Sequence, residues 1–264
     1  MSIPIITYHA LGEIPSPLWT SIEAFESHLK AFANSGYQTV SLATVLHHLH
    51  HRQALPDNVF VITFDDGYES VYKEALPRLQ RHDFTASVFL ITDHCGHTNQ
   101  WVGQPSSVPT ASLLSWAQAE KLVSAGWEIG AHTRSHCSLP SVPLEAAIEE
   151  IAISQQSIQA YLGQSTQVFA YPYGASNSAI TQIVRQHFNG AVGTDLGLVQ
   201  SNADPHLLNR IDAHYLSPAW ISHIDSLPFQ RYLDFRQLLR SLRRTFQSDW
   251  HLQRNEKHFN QDRP

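Results

Sequence analysis

Short apolar runs alternate along the chain with longer segments whose apolar residues recur at helical spacing. The short runs are rich in β-branched and aromatic residues and predict buried strands, whereas the i, i+3, i+4 spacing predicts amphipathic helices. The predicted strands are residues 3–8, 37–40, 58–64, 85–92, 127–132, 167–174, 190–194 and 207–213. The predicted helices are residues 19–36, with Thr20 and Glu23 as a capping box, 41–50, 70–81, 111–126, 143–163 and one from about 177.

This regular alternation predicts an α/β fold with a mostly parallel sheet and helices outside it. Seven or eight units in one continuous run favour a closed or nearly closed barrel in a single catalytic domain, residues 1–224. An open doubly wound sheet stays an alternative, because periodicity does not report closure. No Gly-rich phosphate loop follows the first strand, which disfavours a dinucleotide-binding fold.

The last segment, residues 225–264, differs in charge from the rest of the chain. It holds eight Lys/Arg and five Asp/Glu, so 8 − 5 leaves a local charge of +3. Its apolar residues have helical spacing at Leu233, Leu238, Leu239 and Leu242. We therefore predict a basic helical tail that packs on the domain or on a partner. Binding to a membrane surface is the alternative.

Composition narrows the classes of function. A hydrophobic content of 42% in 264 residues is typical of a folded globular protein. The formal net charge of −6 excludes nucleic-acid binding by bulk electrostatics. No stretch approaches the ~20 apolar residues of a membrane span. With no basic leader before an apolar run, the expected location is cytoplasmic. Two cysteines, Cys95 and Cys137, are too few for a disulfide scaffold and predict reduced thiols.

Candidate catalytic residues fall at predicted strand ends, which converge on one mouth in a parallel α/β barrel. The strand in "FVITFDDGYES" ends in Asp65 and Asp66, two carboxylates that repel unless a cation or proton separates them. His132 lies at the end of the strand that contains "GAH", and His136 lies just past it. The two could present two imidazoles to one ion. The remaining strand-end groups are Tyr8, His9, Tyr171, Pro172 and Tyr173. His47 and His51 share a predicted helix face, but without a nearby acid ligand they indicate a solvated helix end.

The segments "TFDDGY", "HTRSH" and "YPYG", in this order and spacing, resemble the first three motifs of the polysaccharide deacetylases, carbohydrate esterase family 4 with its NodB homology domain. The resemblance implies a distorted (β/α)7-type barrel. It also implies a hydrolase that uses a divalent metal to remove acetyl groups from N-acetylhexosamine units of a polysaccharide, oligosaccharide or glycoconjugate. The implied metal ligands are Asp66, His132 and His136, and the implied general base is Asp65. Tyr173 would supply an oxyanion-binding N–H, with Tyr171 and Pro172 beside it in the substrate-binding group.

Two departures from the common family pattern affect the remaining roles. No convincing acid histidine follows residue 190, whereas "ITYHAL" resembles the start of the permuted poly-N-acetylglucosamine deacetylase branch, which implies His9 as general acid. Ala170 stands where many members have an arginine that orients the base. Arg210, in "LLNRID", is our candidate for the missing positive charge.

Several alternatives are left open by the sequence. The same metal site could act on a small non-sugar amide, or the protein could bind a glycan without catalysis. A serine hydrolase is disfavoured because no Gly-x-Ser-x-Gly elbow is present. Zn²⁺ is the default metal for mixed imidazole and carboxylate ligands, while Fe²⁺, Co²⁺, Ni²⁺ or Mn²⁺ would also fit. Trp101 could stack on a sugar ring, whereas core packing is the better interpretation of Trp127.

Overall fold

The structure, a computed structural model, describes residues 2–54 and 56–242. The strands are β1 Ser2–Ile3, β2 Ile5–Tyr8, β3 Ala10–Leu11, β4 Trp19–Thr20, β5 Gln38–Thr39, β6 Val59–Phe64, β7 Ser87–Leu90, β8 Glu128–Ala131, β9 Val168–Ala170, β10 Gly190–Leu196, β11 Val199–Gln200 and β12 Leu208–Asp212. The helices are α1 Ile22–Asn34, α2 Leu42–His50, α3 Leu76–Gln80, α4 Trp116–Ser124, α5 Leu144–Leu162, α6 Ser178–His187, α7 Pro218–Ile221 and α8, residues 227–242. A π-helical turn, Val71–Ala75, leads into α3.

Seven parallel strands close into a barrel. The strand order is β2, β12, β10, β9, β8, β7 and β6, and β6 pairs back with β2. The closing register pairs Ile6 with Ile62 on one side and with Ile211 on the other. The short β5 pairs with the first two residues of β6. The predicted barrel is therefore confirmed, and the open sheet is excluded.

Side chains alternate between the barrel interior and the layer beneath the helices, as the pleat of a strand requires. One apolar cluster fills the interior with Ile5, Val61, Phe89, Val168 and Val192, and α2 adds Leu42, Val45, Leu46 and Leu49 to it. A larger cluster lies between the strands and the surrounding helices and includes Ile62, Phe64, Phe169 and Ile211. Towards the carboxyl ends of the strands the buried residues become polar, with Thr7, Thr63, Asp65 and Arg210. The polar end is where chemistry can take place.

One predicted helix start is wrong. Ser21, not Thr20, caps α1, and its side chain accepts a hydrogen bond from the backbone N–H of Ala24. Thr20 is instead paired with Leu11 as part of β4. Sequence spacing alone could not separate two adjacent hydroxyl residues, both of which are good helix caps.

The described part of the predicted tail packs on the barrel domain. Phe229 and Leu233 of α8 are buried in the larger core cluster, whereas Leu238 and Leu242 are exposed. Residues 243–264 of the tail lie outside the described residues, and the boundary at residue 224 stays a prediction. Among the helices of the described segments, none combines the length and the apolar character needed to cross a lipid bilayer.

Candidate metal and catalytic site

Asp66, His132 and His136 form a buried cluster at the carboxyl end of the barrel. Oδ1 of Asp66 lies 3.3 Å from Nε2 of His132 and 3.3 Å from Nε2 of His136. One ligand atom from each of the three residues falls within 4.8 Å of the other two. Ligand bonds of about 2.0–2.2 Å around a tetrahedral metal place ligand atoms about 3.3–3.6 Å apart. The cluster therefore has the size and the donor types of a divalent-metal site.

Backbone geometry explains how adjacent aspartates both face the mouth of the barrel. Asp65 follows the last residue of β6 and its N–H bonds the carbonyl of Tyr8 at 3.0 Å. Asp66 then takes a left-handed conformation with φ of 67°, and Gly67 does the same. A strand would send consecutive side chains to opposite faces. The left-handed turn removes that constraint, and Asp is one of the few non-glycine residues that tolerate it.

Both imidazoles are oriented through their second ring nitrogen. Nδ1 of His132 donates a hydrogen bond to the carbonyl of Ala170 at 2.7 Å, and Nδ1 of His136 lies 3.1 Å from the hydroxyl of Tyr173. The ring of Trp101 packs on His136 with centroids 4.4 Å apart. An imidazole whose Nδ1 is held in this way presents Nε2 to a metal, as is usual for histidine ligands.

The electrostatics of the cluster favour an ionised Asp66. Burial by itself would raise the pKa of this carboxyl, but the two imidazoles outweigh burial and hold the pKa well below its usual range. Burial lowers the pKa of His136. At His132 burial acts in the same direction, but the hydrogen bond that its imidazole donates to Asp66 and the neighbouring carboxylates outweigh burial and raise the pKa. A carboxylate that stays charged beside two imidazoles provides the negative charge that a cation site requires.

The loop that carries His136 is held by a residue that we did not predict. The carboxylate of Glu150, on α5, accepts hydrogen bonds from the backbone N–H groups of Arg134 and Ser135 at 2.9 and 2.8 Å. It also accepts a 2.7 Å hydrogen bond from the Ser135 hydroxyl. In the sequence Glu150 is one of several acids on an amphipathic helix, so no signal distinguished it from its neighbour Glu149.

Asp65 belongs to a different set of contacts. Its two carboxylate oxygens each accept a 2.7 Å hydrogen bond from Arg210, and Nε2 of His9 lies 4.0 Å from Oδ2. Arg210 also donates to the Gly193 carbonyl and to the Thr63 hydroxyl, at 2.8 and 3.2 Å. Burial would raise the pKa of Asp65, but the charge and hydrogen bonds of Arg210 outweigh it and lower the pKa. The structure thus brings Arg210 from the last strand to the side chain of Asp65.

The three residues of the "YPY" segment are placed differently. Tyr173 has φ of 60°, its ring packs on His136, and its backbone N–H makes none of the hydrogen bonds found among the described residues. Pro172 is buried and begins the 3-10 turn Pro172–Gly174, which also contains Tyr173. The structure does not bring the Tyr171 side chain to the site. It faces the outer layer, where its hydroxyl donates to the His206 carbonyl at 3.1 Å, because alternate strand residues point to opposite sides of the barrel.

Other residues that the sequence raised lie in the core or at a helix end. Trp127 is buried and stacks on Phe64, with centroids 5.7 Å apart. Nδ1 of His51 bonds the carbonyl of His47 at 2.8 Å, at the end of α2. Cys95 and Cys137 are free thiols, as expected.

A cavity of about 270 Å³ connects the catalytic candidates. Its lining consists of Thr7, His9, Asp65, Tyr173, Thr194, Arg210, Asp212 and Arg240. It thus brings together the carboxylate of Asp65, the imidazole of His9 and Tyr173, whose ring packs on His136. Such an arrangement can take up a proton, give up a proton and hold a small polar group next to a cation.

Sequence comparison connects this geometry with known proteins. The family model described as "Polysaccharide deacetylase" matches residues 52–189, a little over half of the chain. YxkH of Bacillus subtilis, whose name places it among the polysaccharide deacetylases, is 25% identical over 210 residues, which cover 79% of this chain and 70% of that protein. A poly-β-1,6-N-acetyl-D-glucosamine N-deacetylase of Staphylococcus aureus is 23% identical over 171 residues. That match covers 61% of this chain and only 56% of the staphylococcal protein.

Solved structures share the same fold. The deacetylase PplD of Streptococcus pyogenes, in complex with acetate, superposes with a TM-score of 0.72 and 25% identity over 84% of this chain and 96% of that one. IcaB of Ammonifex degensii gives a TM-score of 0.72 with 23% identity over 86% and 97% of the two chains. The family match, which spans the "TFDDGY", "HTRSH" and "YPYG" segments, identifies the chain as a member of the polysaccharide deacetylase family.

Proposed function

We propose that this protein is a metal-dependent hydrolase that removes N-acetyl groups from N-acetylhexosamine units of a glycan. The observation that carries the proposal is the Asp66–His132–His136 cluster, with Asp65 and His9 beside it in one barrel mouth. The sugar substrate is supported by the names of the relatives, which include a poly-N-acetylglucosamine deacetylase.

Asp66, His132 and His136 would hold the cation. Zn²⁺ is the metal that we propose, because two imidazoles and one carboxylate suit it, and Fe²⁺, Co²⁺, Ni²⁺ and Mn²⁺ are the competitors to test. When bound, such a cation supplies Lewis-acid chemistry that polarises a carbonyl and lowers the pKa of water towards about 7. The imidazoles of His132 and His136 are already oriented by hydrogen bonds, so little rearrangement of these two side chains would be needed for binding.

The chain's own residues would carry the proton transfers. Asp65, held ionised by Arg210, accepts the proton from the attacking water. The backbone N–H of Tyr173 donates a hydrogen bond to the acetyl oxygen as negative charge develops on it. His9, 4.0 Å from Asp65, then donates a proton to the nitrogen of the sugar as the C–N bond breaks. The products are acetate and the free amine.

Acetate release tests this proposal directly. Chitotetraose and β-1,6-linked poly-N-acetylglucosamine would be incubated with protein loaded with each metal in turn. We expect Asp65→Asn to lower kcat by about 10²–10⁴, the usual effect of losing a general base. Asp57→Asn, at an exposed position, is the matched control and should leave the rate unchanged.

Four results would count against the assignment. Equal rates for Asp65→Asn and wild type would show that Asp65 is not the base. Unchanged activity after chelation would exclude a required metal. Hydrolysis of small acetamides with no release from either glycan would favour the amidohydrolase alternative, and tight glycan binding without turnover would favour a binding protein.

A further inference from the structure

The C-terminal helix α8 contributes a residue to the catalytic cavity. Arg240 lines the same 270 Å³ cavity as His9, Asp65 and Tyr173. It belongs to none of the barrel strands, and it lies beyond residues 52–189 that match the family. Arg240 is therefore a feature of this chain that the common motifs do not supply.

Contacts along α8 fix the position of Arg240. Gln237, one turn earlier, accepts a 3.0 Å hydrogen bond from the backbone N–H of Leu196 and donates a 2.8 Å bond to Asp195, at the end of β10. The guanidinium of Arg236 lies 4.7 Å from the centroid of the Tyr215 ring. Leu233 is buried in the core. These contacts, all within the two helical turns before Arg240, hold the helix against the mouth of the barrel. Arg240 is therefore placed at the mouth.

The two arginines of the cavity differ in their partners. Arg210 donates four hydrogen bonds, two to Asp65, one to Thr63 and one to the Gly193 carbonyl. Arg240 takes part in no hydrogen bond or ion pair found among residues 2–54 and 56–242. The other acid of the cavity, Asp212, accepts a 2.9 Å hydrogen bond from the backbone N–H of His214 and is not within ion-pair distance of Arg240. A guanidinium has five N–H donors, so Arg240 has free capacity to bind a ligand.

The charge balance of the cavity favours an anion as that ligand. The charge of Asp65 is neutralised by Arg210, and the formal charges of Asp212 and Arg240 cancel although these two side chains are not ion-paired. A divalent cation held by Asp66 would then leave one net positive charge at the mouth. Guanidinium groups bind planar or tetrahedral anions through paired hydrogen bonds, and they do so more strongly than they bind neutral hydroxyl groups.

We propose that Arg240 recognises an anionic group, a carboxylate or a phosphate, on the glycan next to the N-acetylated sugar. This inference rests on the proposed function in taking the ligand to be a glycan. Arg240 is thus a specificity-determining residue, and the preferred substrate carries negative charge beside the sugar that is deacetylated.

The test compares three tetrasaccharides that differ in charge. They are neutral chitotetraose, a tetrasaccharide alternating N-acetylglucosamine with glucuronic acid, and chitotetraose 6-phosphate. Binding is measured by calorimetry on full-length, metal-loaded protein that carries His9→Gln to slow turnover, and acetate release is measured on metal-loaded protein with His9 intact. The variants are Arg240→Gln, Arg240→Lys and the control Arg231→Gln, an exposed arginine on the same helix but outside the cavity lining.

We expect wild type to bind at least one anionic tetrasaccharide about tenfold more tightly than the neutral one, the lower range for hydrogen bonds to charged groups. Arg240→Gln should remove this preference without weakening neutral binding, Arg240→Lys should keep part of it, and Arg231→Gln should keep all of it. The carboxylate and phosphate arms identify which anion is recognised.

An equal effect of Arg240→Gln on all three ligands, or no preference in wild type, would overturn the inference. If neutral chitotetraose still releases acetate in that case, the proposed function survives alone. If the charge preference is found in binding but no ligand releases acetate, the recognition role of Arg240 stands and the proposed function fails.

Discussion

Asp65 and Asp66 have different partners although one peptide bond joins them. Asp65 is bound by the guanidinium of Arg210, and Asp66 lies between two imidazoles. The pair was visible in the sequence, and so was the need for positive charge near it. The left-handed backbone conformation of Asp66 decides which carboxylate faces which partner. The pattern of side chains in the sequence does not predict that conformation.

Arg210→Met should destabilise the protein by about 3–5 kcal/mol, because it leaves the buried carboxylate of Asp65 without its two donors. Urea unfolding of the variant and of Arg210→Lys would measure the loss. The double variant Asp65→Asn with Arg210→Met should lose less than the sum of the two single changes, since neither charge then remains unpaired. Wild-type stability for Arg210→Met would contradict this account.

His28 predicts a dependence of stability on pH. Its Nδ1 accepts a 3.0 Å hydrogen bond from the Tyr8 hydroxyl, and burial lowers its pKa from 6.5 to about 4. Between these values the unfolded chain binds more protons than the folded protein, so stability falls as pH falls, by up to about 3 kcal/mol. His28→Gln should remove this part of the slope in urea unfolding between about pH 7 and pH 5. The exposed control His97→Gln should keep the wild-type slope.

At the scale of elements, a helix holds the loop that carries the metal-ligand candidate His136. The loop after β8 places His136 in a left-handed conformation, with φ of 63°, and its N–H bonds the Thr133 hydroxyl at 3.0 Å. Glu150 of α5 accepts three hydrogen bonds from the same loop. The strand and the helix were both predicted, but their contact joins residues 15 and 16 positions apart and is made only when α5 packs beside β8.

Glu150→Gln should weaken metal binding about 10- to 100-fold, the usual cost of losing a residue that orients ligands. An amide cannot accept three hydrogen bonds through two equivalent oxygens, so the loop loses part of its support. Titration of chelator-treated protein with Zn²⁺ or Co²⁺ would measure the affinity. Glu149→Gln, the exposed neighbour, is the control. The prediction fails if both variants bind metal as wild type does.

At the scale of the whole molecule, the closed barrel and α8 form one packed unit. Phe229 and Leu233 join the core that surrounds the strands, and Gln237 bonds the end of β10. The segment that the sequence predicts to be a basic tail is therefore, in its described part, a helix that packs beside the mouth of the barrel. One of its basic residues, Arg240, lines the cavity.

Leu233→Ala should cost about 2–5 kcal/mol, the usual cost of removing a buried leucine, because its side chain is only 1% exposed. Leu238→Ala on the same helix should change stability by about 0.5 kcal/mol at most, since Leu238 is 56% exposed. Thermal or urea unfolding would measure both. Similar small effects for the two variants would mean that α8 does not contribute to the stability of the barrel domain.

The sequence by itself determined the order of strands and helices, the parallel α/β class and the strand ends that carry Asp65, Asp66, His132 and His136. These features follow from local periodicity and from short motifs, which need no knowledge of distant contacts. Only the tertiary structure decided that the barrel closes, that Tyr171 turns away from the site, that Glu150 holds the ligand loop and that Arg240 reaches the cavity. Each of these depends on packing between segments far apart in the chain, where many pairings satisfy the same hydrophobic pattern and only the folded geometry selects one.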